Sequence, residues 1–95
     1  MNRFFEAQGI QWVSAARRRD AVIDAPTLDA RVALELLELA RVAAHTQERR
    51  FAPLSCFMAG VAAERLRAAK PDVDDITLAA YIQEVRQELE AEARP

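Results

Sequence analysis

Apolar residues recur at intervals of three and four positions along most of the chain, and prolines interrupt this pattern at only three internal positions. These prolines are Pro26, Pro53 and Pro71. The interval is that of an α-helix, in which residues three or four apart lie on the same face. Proline fits the first turn of a helix but cannot continue one, so each proline is expected near a helix boundary. The pattern therefore predicts four helices and an all-α fold.

The composition agrees with this pattern. Alanine is the most frequent residue, strong helix formers supply much of the remainder, and hydrophobic residues make up 52% of the 95 positions. Such a chain is too apolar to be disordered and is of a size that builds one core. We predict a single helical domain over residues 1–95.

The boundaries follow from capping residues and prolines. The helices are predicted at about 3–19, 27–50, 53–70 and from Asp74 onward, with Asp74 as the N-cap of the fourth. Only a few residues around Phe51 separate the second and third helices. A connection this short forces neighbouring helices to run antiparallel. We therefore expect a four-helix, bundle-like fold with the second and third helices as a central antiparallel hairpin.

Helical periodicity also predicts which faces are buried. In the second helix the predicted buried arc comprises Leu28, Val32, Leu36, Leu37, Leu39, Ala40, Ala43 and Ala44. The opposite arc is mostly charged, with Leu34 and Val42 among the charges. The third helix is apolar nearly all round, so we expect it to be central, with its small residues Cys56, Ala59, Gly60 and Ala63 admitting another backbone closely. Apolar surface left over predicts self-association, most simply as a homodimer.

One group of side chains suggests a ligand site. Arg41, His45 and Arg49 are spaced four residues apart, which would align them along the predicted second helix. Guanidinium groups bind phosphate and carboxylate through paired hydrogen bonds, and imidazole adds a titratable donor. Three interpretations stay open here: a ligand site, a solvated face neutralised by Glu38 and Glu48, and a structural role of His45 toward the following loop. The sequence favours the solvated face.

Other kinds of chemistry have weaker support. Cys56 and His45 could pair as a nucleophile and its base, but an isolated cysteine more often packs as a small apolar residue. With one cysteine and one histidine, we predict no metal site and no cofactor. Arg17, Arg18 and Arg19 are interpreted as a basic helix end that complements the helix dipole, and we predict no nucleic-acid binding.

Charge and hydropathy also bear on location. The net charge is −2, which gives no general attraction to nucleic acid or anionic membranes. No apolar run approaches the roughly 20 residues of a membrane span, and the first residues do not read as a signal peptide. We expect a cytoplasmic protein without membrane association.

Residues 36–63 read LLELARVAAHTQERRFAPLSCFMAGVAA. The LARxxAH segment followed by APLxxFxxGxAA resembles a small bacterial family of uncharacterised helical proteins. Members of that family occur alone, or beside or fused to the guanylyltransferase that completes the molybdenum cofactor. The resemblance implies a helical protein associated with molybdenum-cofactor or molybdoenzyme maturation, and it implies no established reaction.

Two functions of different class follow from these observations. The leading prediction is a non-enzymatic accessory or interaction module that binds a protein partner or a second copy of itself. The alternative is a protein or enzyme that binds a small anionic ligand, such as a nucleotide or pterin phosphate, through Arg41, His45 and Arg49.

Overall fold

A computed structural model describes residues 2–92 of the chain. Four α-helices form in this range: α1 (Arg3–Arg17), α2 (Ala30–Thr46), α3 (Phe51–Ala69) and α4 (Asp75–Glu92). No strand occurs among the described residues, so the prediction of an all-α, bundle-like fold is confirmed. The chain divides into two compact units, Met1–Ala30 and Arg31–Pro95, which are described separately below. That the whole of 1–95 forms one domain stays a prediction.

The first unit consists of α1 and the following segment, which has a turn at residues 18–20 and no regular secondary structure over 21–29. The Asn2 side chain caps the start of α1 by accepting a hydrogen bond from the Phe5 amide at 3.2 Å. The end of α1 is closed by two backbone bonds, from the Asp20 amide to the Arg17 carbonyl and from the Ala21 amide to the Ala16 carbonyl. This pattern is a Schellman motif, and Asp20 adopts the left-handed conformation that the motif requires, with φ of 60°.

One of the three arginines at the end of α1, Arg19, contacts the helix end as the sequence predicts. The Arg19 guanidinium donates a hydrogen bond to the Ala15 carbonyl at 3.0 Å. Carbonyls in the last turn of a helix lack backbone partners, and a cation near them is stabilised by the helix dipole. Arg19 therefore caps its own helix.

Gly9 allows the segment after α1 to run close to that helix. It is buried, and a Cβ atom at this position would lie 2.8 Å from the carbonyl oxygen of Pro26. Residues 21–29 form no helix or strand, so α2 begins at Ala30 and not near Thr27 as predicted.

The second unit contains α2, α3 and α4. Residues 47–50 connect α2 to α3, which confirms the predicted hairpin. The unit's buried core is made of residues from all three helices: Ala33, Leu39, Val42, Ala43, Ala63, Leu78, Ala79 and Ile82. At the start of α4 the Asp74 carboxylate accepts a hydrogen bond from the Thr77 amide at 2.9 Å, which confirms Asp74 as its N-cap.

The buried face of α2 differs from the predicted one. Val42, which the sequence places among the charges, is 1% exposed, whereas Leu37 of the predicted buried arc is 68% exposed. Val42 lies on the same side of the helix as Glu35, and Glu35 forms an ion pair with Arg86 of α4. The packing of α4 against this side therefore turns the buried face of α2 toward Val42 and away from Leu37.

α3 is less enclosed than its predicted central position implies, because Ala63 is the one buried residue within Phe51–Ala69. Of its small residues, Cys56 faces α2, with its thiol 3.6 Å from the Leu36 carbonyl oxygen, and Ala63 is buried. Gly60 is exposed and nothing lies within 4 Å of the position of a Cβ there, so it does not admit another backbone closely as predicted.

The large residues of α3, Leu54, Phe57 and Met58, are 60%, 73% and 71% exposed. Small side chains let two helices approach closely, so the side of α3 that carries Cys56 and Ala63 packs against its neighbours. The side that carries the large residues stays in solvent.

Candidate functional site

An apolar groove runs along the second unit between α3 and α4. Its volume is about 370 Å³, which falls in the range of ligand and peptide clefts. The groove is lined by Leu39, Ser55, Met58, Ala59, Ala62, Tyr81, Ile82, Val85 and Leu89. The small residues of α3 do not fill the space between the two helices, so the groove stays open. Tyr81, Val85 and Leu89 lie four residues apart along α4 and therefore form one row, which is the opposite wall.

The groove continues into the exposed side of α3. Met58 lines the groove, and together with Phe57, Val61 and Tyr81 it also borders a neighbouring depression. We call the groove together with Leu54, Phe57 and Met58 the apolar surface. Contiguous exposed apolar patches mark interaction sites, whereas scattered single residues do not.

Three glutamates follow the α4 wall of the groove. Glu84, Glu88 and Glu92 are all exposed and lie four residues apart, directly beside Tyr81, Val85 and Leu89. Within residues 2–92 no ion pair involves any of the three. We call these residues the acidic stripe.

A different face of α4 is joined to α2 by ion pairs. Arg86 contacts Glu35 at 3.2 Å and Glu90 at 3.5 Å, and Arg41 contacts Glu38 at 2.8 Å and Glu90 at 3.5 Å. The side chains of Arg86 and Glu35 are only 14% and 16% exposed. This network fixes α4 on α2 and therefore holds one wall of the groove in place.

Two of the three residues of the predicted ligand site lie on α2, and the third lies beyond its end. Arg41 and His45 are exposed on α2, but α2 ends at Thr46 and Arg49 lies in the following turn. The turn arises because the amides of Phe51 and Ala52 bond to the carbonyls of Glu48 and Arg49, which starts α3. The predicted single helical row of Arg41, His45 and Arg49 is therefore not formed.

Arg41 is also occupied by other groups. Its hydrogen bond and charge interaction with Glu38 lower the pKa of that carboxyl and raise the pKa of the Arg41 guanidinium. Glu90 contacts the same guanidinium from α4. The predicted neutralisation by Glu38 is thus confirmed, whereas Glu48 pairs with Arg50 at 3.2 Å. Binding of an anion by Arg41, His45 and Arg49 stays a prediction.

Cys56 has the surroundings of a packing residue. Burial raises the pKa of the Cys56 thiol, while a nucleophilic cysteine requires a lowered pKa. This agrees with the interpretation of Cys56 as a small apolar residue. Among residues 2–92, no group of three or more His, Cys, Asp or Glu side chains is placed to hold a metal ion.

The sequence did not reveal the groove, although part of its signal was present. Tyr81, Val85 and Leu89 recur at helical spacing, which predicts the buried face of an amphipathic helix, but Val85 and Leu89 are exposed at the groove. The four-residue spacing of Glu84, Glu88 and Glu92 beside them was a visible pattern. Without the position of α3, neither pattern indicates an opening.

A family model described as a domain of unknown function, DUF6457, matches residues 6–94. The chain belongs to the DUF6457 family. The match includes residues 36–63, where the resemblance to an uncharacterised helical family lies, and the DUF6457 description names no reaction, ligand or partner. No curated protein and no solved structure matches the chain. None of the helices described for this DUF6457 chain has the length and hydropathy needed to cross a membrane.

Proposed function

We propose that this DUF6457 chain is a non-enzymatic interaction module whose apolar surface binds a helix of another protein chain. The observation that carries this proposal is the exposure of Leu54, Phe57 and Met58 beside the groove. A groove of this kind takes an amphipathic helix through apolar residues spaced three and four apart. Burying such large side chains supplies the free energy of binding, at about 25 cal/mol for each Å² removed from water.

The proposal includes a cellular role. The resemblance in residues 36–63 favours a partner involved in molybdenum-cofactor guanylylation or molybdoenzyme maturation, so we assign the chain an accessory role there. A molybdenum-cofactor guanylyltransferase is the first partner to test. A second copy of the chain is the other partner that the sequence predicts.

The anionic-ligand alternative has less support. Arg41 would have to leave Glu38 and Glu90 before it could bind a phosphate, and Arg49 lies outside the helix that carries His45. A thermal-shift screen with phosphate, nucleotides and pterin phosphates addresses this alternative. Stabilisation of the wild type that is lost in Arg49→Ala and His45→Ala would support the alternative against the proposal.

Binding of a purified guanylyltransferase, measured for wild type and for the double variant Phe57→Asp/Met58→Asp, tests the proposal directly. Both side chains are mostly exposed, so the variant should keep its fold and lose binding. The matched control is Leu37→Asp, which changes an equally exposed leucine on α2 outside the groove. Equal binding by the double variant and the control would contradict a role of the apolar surface.

The cellular role is tested separately by tagging the chain at its natural level in its host. Proteins recovered with wild type and Leu37→Asp but not with Phe57→Asp/Met58→Asp identify the partner. If these proteins have no connection to the molybdenum cofactor, the accessory role assigned here is wrong while the interaction function stands.

A further inference from the structure

We infer that the helix bound by the groove is basic and amphipathic, with an apolar spine and lysine or arginine residues along one flank. This inference rests on the proposed function and specifies the chemistry of the partner. It is carried by the position of the acidic stripe relative to the groove.

The acidic stripe lies where the flank of a bound helix would pass. Glu84 and Glu92 are eight positions apart on α4, which is about 12 Å along the helix axis, and Glu88 lies midway between them. Tyr81, Val85 and Leu89 of the groove wall are next to them on the same helix. A helix seated on these apolar residues would therefore carry its own flanking side chains past the three carboxylates over about two turns.

Within the part of the chain that the structure describes, no ion pair balances the charge of the stripe. Several other glutamates of the second unit have cationic partners: Glu35 pairs with Arg86, Glu38 with Arg41, and Glu48 with Arg50. No such pair is formed by Glu84, Glu88 or Glu92 among residues 2–92. Like charges four residues apart on a helix repel one another, so the stripe reduces the stability of free α4. A cationic flank on the partner would remove that repulsion.

The two parts of the site favour different properties of the partner. The groove is walled almost wholly by carbon, with the Tyr81 and Ser55 hydroxyls as its polar groups, so it favours apolar anchor residues. The stripe lies in solvent at the rim, where charges steer association and select partners more than they add affinity. The inference therefore predicts that binding by the basic helix weakens as salt rises.

A pair of designed peptides tests the inference on the full-length chain. Each is a fluorescein-labelled helix about as long as the 18-residue α4, with leucines at the i, i+3, i+4 and i+7 positions that a groove accepts. One peptide carries lysines along the flank of this spine and the other carries glutamates. Fluorescence anisotropy should show the lysine peptide binding at least about tenfold more tightly at low ionic strength, and raising the salt should reduce that preference.

Variants of the protein separate the stripe from the groove. Glu84→Gln/Glu88→Gln should weaken binding of the lysine peptide about fivefold or more, whereas Glu48→Gln/Asp72→Asn removes the same charge from exposed positions of the second unit outside the groove and should not. Ala62→Phe fills the groove and should abolish binding. Val85→Ser, at an exposed position of the wall, is the second groove variant if Ala62→Phe does not fold.

Each other outcome overturns the inference in a distinct way. If both peptides bind equally and only the groove variants weaken them, the partner helix is not basic, and the proposed function stands. If the chain without peptide is already a dimer at about 1 μM that the peptide cannot dissociate, a second copy occupies the groove. If neither peptide binds, or binding ignores the groove variants, the inference fails, and absence of any binding also counts against the proposed function.

Discussion

Gly9 and Gly60 both lie inside helices, yet their surroundings predict opposite effects of the same substitution. An alanine at position 9 would place its Cβ 2.8 Å from the Pro26 carbonyl oxygen, and a backbone atom cannot move aside cheaply. Gly9→Ala should therefore lower the free energy of unfolding by about 1–3 kcal/mol. Nothing lies within 4 Å of the corresponding atom at Gly60, so Gly60→Ala should raise it by about 0.5–1 kcal/mol. Urea denaturation of both variants measures the two values. Stabilisation by Gly9→Ala would contradict the close approach of residue 26 to α1.

Asp74 shows how one carboxylate makes a helix start sensitive to acid. Its hydrogen bonds with Thr77 lower the pKa of Asp74 below the usual 3.8. Replacing Asp74 by Ala removes the cap and should lower the urea midpoint at neutral pH. Asn caps a helix almost as well as Asp, so Asp74→Asn should keep the urea midpoint close to that of wild type. The pKa of Asp74 is lower in the folded chain than in the unfolded chain. The stabilisation by its carboxylate is therefore complete above the pKa that Asp74 has in the unfolded chain, and it is lost as the pH falls through the pKa that Asp74 has in the folded chain. The difference between wild type and Asp74→Ala should therefore shrink below pH 3.8, and a difference that stays constant down to about pH 2 would disprove the linkage.

At the scale of the elements, the contact between α2 and α4 depends on one mostly buried ion pair. The Glu35 side chain is only 16% exposed, and Arg86→Ala would leave its carboxylate without a cation. We therefore expect the free energy of unfolding to fall by about 2–3 kcal/mol. Glu35→Leu/Arg86→Met removes both charges and should recover most of this loss, because a well-packed apolar pair can replace a buried ion pair. The exposed pair of Arg50 and Glu48 is the control, and Arg50→Ala should change the free energy of unfolding by less than about 0.5 kcal/mol. Equal losses for Arg86→Ala and Arg50→Ala would show that the network does not hold α4.

The helices could be predicted from the sequence to the extent that local chemistry sets them. The prolines, the Asp74 cap and the helical period predict the number of helices and the hairpin correctly. Each of these signals depends only on a few neighbouring residues, so it can be recognised without knowledge of the tertiary structure. The buried face of α2 could not be predicted, since Val42 and Leu37 exchange roles only when α4 takes its place beside Glu35. Which side of α3 is covered also depends on the tertiary packing, because both of its sides are apolar.

The candidate site was predictable only in part for a related reason. The groove is built from Leu39, Met58 and Val85, which belong to three helices and are far apart in sequence. No short motif marks such a site. The charged residues that the sequence did single out, Arg41, His45 and Arg49, depended on the length of α2, and that helix ends before Arg49 because α3 starts its own hydrogen bonding there.

For the whole molecule, the apolar surface predicts how the purified chain behaves when it has no partner. Exposed apolar side chains such as Phe57 and Met58 should drive weak, reversible self-association at tens of micromolar. Two copies that meet through this surface bring two acidic stripes to one interface, so self-association should strengthen in about 0.5 M salt, where charges are screened within a few ångströms. Sedimentation equilibrium at low and high salt, with Phe57→Asp/Met58→Asp as the variant expected to remain monomeric, measures both effects. A wild-type chain that stays monomeric under both conditions would exclude this self-association.

The backbone conformation of Asp20 limits the mutations that the end of α1 can accept. Its φ of 60° lies in a region that glycine, asparagine and aspartate enter most easily and that β-branched side chains avoid. An aspartate codon is one base away from codons for glycine and asparagine, and equally from codons for valine and tyrosine. Random mutagenesis followed by selection for folded protein should therefore retain Gly and Asn at position 20 and deplete Val, although all four changes arise with similar ease. Neutral drift at this position would then exchange aspartate, glycine and asparagine, which accept the same backbone conformation although only aspartate is charged.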